Sequence, residues 1–133
     1  MTDITLGEAK NICSAAIGHA ERIGIKIAVS VVDSATNLVS MQKMDGTMIL
    51  SIDGSRGKAV ASVIFGQPSV ELEDRSKRPT FRALEIQWGG RFIMSQGALP
   101  IIRDGEIIGA CGVGGGTPQE DEECAASGLE ILT

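Results

Sequence analysis

The residues able to do chemistry are few. His19 is the only imidazole, so any histidine acid–base step or nitrogen ligation must use it. Its position allows two readings, a satisfied core histidine or a ligand, and one nitrogen alone cannot build a closed zinc site. Lys58 stands among Gly57, Ala59, Val60 and Ala61. An amine on an apolar helix face either snorkels outward or serves a pocket. Asp33 closes an apolar run and Asp45 precedes Gly46; both are turn residues first and acids or bases second. Lys58 and Asp45 together would suit proton abstraction, isomerisation, hydration or elimination on a small substrate. No nucleophile elbow supports a Ser-His-Asp triad. Cys13, Cys111 and Cys124 are odd in number and widely spaced, which suits neither a disulfide framework nor a zinc site.

Gly109-Ala110-Cys111-Gly112-Val113-Gly114-Gly115-Gly116 falls between an expected strand and an expected helix. A phosphate loop would need a G-x-G-x-x-G register or a Lys-Ser/Thr pair, and neither is present. Glu120, Asp121, Glu122 and Glu123 crowd the first turn that follows, so an anion there would meet repulsion. The remaining readings are backbone packed tightly on a neighbouring element, or backbone bent around a planar ligand.

These residues need elements to position them. Thr5-Leu6-Gly7-Glu8 is a capping-box pattern that predicts a helix from about Leu6 to Ile23, with Ile12, Ala16, His19 and Ile23 on one stripe. Lys26–Asp33 and Leu38–Gln42 read as a hairpin around Ser34-Ala35-Thr36-Asn37. Helical spacing returns from Ile49 to Phe65. Residues 67–87 are charged and divided by Pro79, which predicts short helical pieces on the surface. Strands are expected at Phe92–Ser95, Leu99–Arg103 and Glu106–Val113, the last two joined by a tight turn at Asp104-Gly105. Thr117-Pro118-Gln119-Glu120 opens a final helix to about Leu129. The expected fold is α+β, an antiparallel five-stranded sheet flanked by helices in the order α-β-β-α-(short helices)-β-β-β-α, as a single domain over residues 1–133.

The sequence has 133 residues, 12 Lys plus Arg against 17 Asp plus Glu, and a net charge of −5. An acidic surface disfavours nucleic acid, and only Phe65, Phe81, Phe92 and Trp88 could stack on bases. The longest apolar stretch is too short to cross a bilayer, no secretory signal is visible, and free cysteines suit a reducing cytoplasm. Ten of the 17 glycines follow residue 88, so that half must contain turns or close backbone contacts.

Five segments in fixed order carry a resemblance. Ile27–Asp33, Lys43-Met44-Asp45-Gly46-Thr47, Ser51 with Lys58-Ala59, Gly97-Ala98-Leu99-Pro100-Ile101, and Ile108–Gly116 with Asp121 resemble the GlcG/HbpS-like family. That family includes the C-terminal domain of PduO-type cobalamin adenosyltransferases, and the similarity spans about residues 6–130. It implies a compact domain with an antiparallel sheet, assembled into homo-oligomers and binding a small molecule. Haem is bound by some members, with degradation or redox sensing attributed to some. His19 matches a candidate haem-ligating histidine on the first helix. On a haem-binding reading, Met44 and Gly114, Gly115 and Gly116 are expected to accept the ring, Lys58 to meet a propionate, and Asp45 to belong to the same cofactor site. The alternative is an enzyme of a catabolic pathway using Lys58 and Asp45. Lys43 before Met-Asp-Gly, Gln96-Gly97-Ala98 before Leu-Pro, and Val60 after Lys58-Ala59 depart from the family's common residues.

Overall fold

A computed structural model describes residues 3–132. Both capping boxes form: the Thr5 hydroxyl accepts from the Glu8 N–H and Glu8 reaches back, and Thr117 does the same with Glu120. They start α1 (Leu6–Ile23) and α4 (Pro118–Leu129). Between them lie β1 (Ala28–Asp33), β2 (Leu38–Lys43), α2 (Ser51–Phe65), two short 3₁₀ turns, α3 (Pro79–Gln87), β3 (Ala98–Arg103) and β4 (Glu106–Gly114). The sheet is antiparallel throughout, in the order β2-β1-β4-β3.

The described sheet has four strands rather than the expected five, and the element order changes accordingly. Phe92–Ser95 carries strand-like alternation, since Phe92 and Met94 are buried while their neighbours are half-exposed. Its partner is a helix. The Ile93 N–H donates to the Gly57 carbonyl of α2 at 2.9 Å, so the segment lies along α2 and its apolar side chains join the cluster under that helix. Alternation reports a buried face whatever supplies the burial.

Period-two geometry divides the sheet's side chains between two layers. Val29, Val31, Cys111 and Val113 point toward α1 and α4 and meet Ile12, Cys13, Ala16, Cys124 and Ala125. Val32 and Ala110 point the other way, toward Ala59, Val60 and Phe92. The result is three layers, with α1 and α4 on one face and α2 on the other. The core stripe of α1 is Ala9, Ile12, Cys13, Ala16 and Ala20. His19 sits half-buried at its edge and Ile23 is exposed, so the stripe is rotated from the one expected.

The glycine-rich strand is explained by how closely α2 lies on it. A Cβ at Gly112 would fall 2.1 Å from the Ser55 carbonyl oxygen, and one at Gly114 would fall 2.7 Å from that of Ser51. The facing side of α2 is correspondingly small: Ser51, Ser55, Ala59 and Ser62 are all buried. Ser55 pairs with Ser30 of β1 at 2.8 Å between hydroxyls, which satisfies both buried groups.

Candidate functional site

The sequence-derived residues separate into two groups on opposite sides of α4. His19 belongs to the first. Its Nε2 lies 2.6 Å from Glu123 Oε2, and the side chains are 19% and 57% exposed. This contact links the C-terminal half of α1 to the first turns of α4. A groove runs along the same outer seam, enclosing about 780 Å³ and lined by Ser14, Ala15, Gly18 and Arg22 of α1 and by Ser127 and Ile131. His19 itself is not among the lining residues; its helix neighbours Gly18 and Arg22 are.

Lys58 belongs to the second group. Its ammonium donates to Asp121 Oδ2 at 3.1 Å, and the side chains are 10% and 5% exposed. Asp121 Oδ1 accepts from the Gly116 N–H at 2.8 Å, so one carboxylate ties the glycine loop to α2. Burial raises the Asp121 carboxyl above its ordinary value, outweighing the lowering by Lys58 and the Gly116 N–H. Gly97 lets the amine reach it, because a Cβ there would fall 2.5 Å from Lys58 Nζ. Residues two apart on a helix point about 200° from each other. Asp121 therefore faces α2 while Glu123 faces α1, and α4 stands between Lys58 and His19.

The other expected contacts are also placed. Met44 Sδ accepts from the Ile27 N–H at 3.3 Å. Asp45 is exposed in the turn after β2, and Lys58 pairs with Asp121 rather than with it. Gly114, Gly115 and Gly116 face protein: a Cβ at Gly115 would fall 2.4 Å from the Lys26 carbonyl oxygen, and one at Gly116 2.9 Å from Ile25 Cδ1. The tight-packing reading of the glycine run describes these positions.

Cys13, Cys111 and Cys124 are free and buried on the α1/α4 side of the sheet. Burial pushes the thiols of Cys13 and Cys124 up to about 11 and that of Cys111 higher still. Among the described residues no group of three or more His, Cys, Asp or Glu side chains could hold a metal ion, and no helix is long and apolar enough to cross a membrane.

One cavity was missed by sequence reasoning. About 440 Å³ lie between α2, the β1–β2 turn and residues 88–93, with Arg56, Trp88 and Arg91 around it. The signal available was a single tryptophan followed by two glycines and an arginine, but the cavity is assembled from distant segments and no spacing encodes it.

A family model described as "Haem degrading protein HbpS-like" matches residues 4–130. The chain belongs to the HbpS-like family. Over 131 residues it is 34% identical to an uncharacterised 15.0 kDa protein from the dhaT-dhaS intergenic region of Citrobacter freundii, covering 98% of this chain and 92% of that one. A double mutant of HbpS from Streptomyces reticuli superposes with a TM-score of 0.88 at 28% identity, covering 100% of this chain and 89% of that one. PduOC, solved as a complex with haem, superposes with a TM-score of 0.87 at 23% identity, covering 97% and 94%. That last likeness is one of fold.

Proposed function

We propose that this HbpS-like chain binds haem at the outer seam of α1 and α4, with His19 Nε2 as the protein's ligand to the iron. The observation that carries the reading is the placement of the sequence's single imidazole. It is half-buried on the helix whose Gly18 and Arg22 line an open groove, and its Nε2 is held by one exposed carboxylate. The family description and the haem complex of a protein with this fold support it.

The donor set fits the group in one respect and restricts it in another. A neutral imidazole is a proper axial ligand for haem iron, and small residues at Ser14, Ala15 and Gly18 leave the seam open for a flat ring. Arg22, exposed one turn beyond Gly18, lines the groove and would meet a propionate. Lys58 lies across α4 and is paired. The groove between α1 and residues 127–131 is open on its solvent side, which a second copy of the chain packed on this seam would cover. Bound haem would supply a redox-active iron, the chemistry that degradation or redox sensing would use.

Haemin titration of the purified protein, followed by absorbance, tests this. Saturable, stoichiometric binding that collapses in His19→Ala supports the site. Absent binding, or binding indifferent to that change, refutes it.

A further inference from the structure

We infer that the cavity between α2, the β1–β2 turn and residues 88–93 is a second binding site, for a small organic monoanion whose carboxylate meets Arg56 and Arg91 and whose apolar body lies against Trp88, Val60 and Ile93. It shares no residue with the α1/α4 seam and stands independently of haem binding.

Charge is the first argument. Arg56 is exposed on α2 and, among the described residues, makes no hydrogen bond or ion pair. Asp53 sits one turn before it on the same wall without pairing with it, so the guanidinium donors stay available. Arg91 is oriented rather than neutralised. Its Nε donates to the Trp88 carbonyl at 3.0 Å and its guanidinium lies 4.7 Å from the indole centroid, which leaves the two terminal amino groups to donate. Guanidinium forks match the geometry of a carboxylate. Two guanidinia against Asp53 leave one net positive charge, which suits a monoanion better than a phosphate dianion.

Shape is the second. About 440 Å³ lies within the range of small-molecule pockets. Gly57 is required at the floor, because a Cβ there would fall 2.6 Å from the Ile93 side chain. At the rim Thr36 is held at φ +67, a conformation a β-branched residue rarely adopts. The Asp33 carboxylate fixes that turn by accepting from the Ala35 and Asn37 N–H groups, each at 2.9 Å. Gly90, at φ +75, lets the chain leave α3 and bring Arg91 back over the opening.

Trp88 is the only tryptophan, so its indole N–H gives one nuclear magnetic resonance signal that reports on the cavity. The native protein is titrated with butanoate and benzoate, with butanamide and inorganic phosphate as comparisons. Saturable displacement of the indole signal by the carboxylates, weakened about tenfold or more in Arg56→Gln and in Arg91→Gln, is the expected result. Both substituted side chains are exposed, and unchanged thermal unfolding would show that the variants fold. No saturable displacement, an equal response to butanamide, tighter binding of phosphate, or undiminished binding in both folded variants would overturn the assignment.

Discussion

Removing the Glu123 carboxylate should tighten haemin binding, because the same nitrogen cannot hold both the carboxylate and the iron. His19 Nε2 lies 2.6 Å from Glu123 Oε2, and this contact must break before Nε2 can ligate. Glu123 is 57% exposed, so solvent and salt screen the contact, which places it among surface pairs worth about 0.2–1 kcal/mol. That range corresponds to a gain in affinity of about 1.4- to 5-fold for Glu123→Ala. The assay is a haemin titration of both proteins at low and at high ionic strength, and the gain should shrink with added salt. Weaker binding in Glu123→Ala would refute the reasoning. It would mean that Glu123 orients a ligated imidazole through its other nitrogen, the arrangement common around metal-bound histidines.

Further expectations follow from the packing. Lys58→Met should destabilise the fold by about 3–5 kcal/mol, since it leaves Asp121 buried without its counter-ion, and chemical denaturation of the variant measures this. The raised Asp121 carboxyl makes its contribution to stability full below the unfolded carboxylate range and lost as pH rises through its folded value; the fall in unfolding free energy over that window should therefore be smaller in Asp121→Asn. Gly112→Ala drives a Cβ to 2.1 Å from the Ser55 carbonyl oxygen and should cost at least about 1–3 kcal/mol. Gly54→Ala, with nothing within 4 Å of the new Cβ, should stabilise α2 by up to about 1 kcal/mol; a melting comparison of the two variants should show opposite signs. All three cysteines are buried, with their thiols raised, so at pH 8 a disulfide reagent should label the native protein slowly and the unfolded protein at once.

The elements that local chemistry dictates were legible in the sequence. Thr5 with Glu8 and Thr117 with Glu120 announce their helices three residues apart, and Asp104-Gly105 supplies the two positive φ values, 52° and 78°, of the β3–β4 turn. What misled was a pattern with two physical causes. Phe92 and Met94 alternate as a strand would, yet they bury against α2 and pair with no strand. The glycine run allowed two readings, close packing or a bend around a planar ligand, and the small face of α2 that accounts for the close packing was obscured by expecting large apolar residues on every buried stripe. Partners distant in sequence were beyond the reach of spacing. Asp121 is 63 residues from Lys58 and Glu123 is 104 from His19, and only the folded α4, with Asp121 turned to Lys58 and Glu123 turned to His19, shows that the two candidates point into different places. Arg56, Trp88 and Arg91 were hidden for the same reason.

The most direct test of the haem reading replaces the ligand chemically. In His19→Gly the imidazole is deleted and a space is left at the seam, so haemin binding should be lost and then restored by added free imidazole, with the absorbance band returning to its native position. Haemin binding that survives in His19→Gly without imidazole would contradict the account and move the site away from α1.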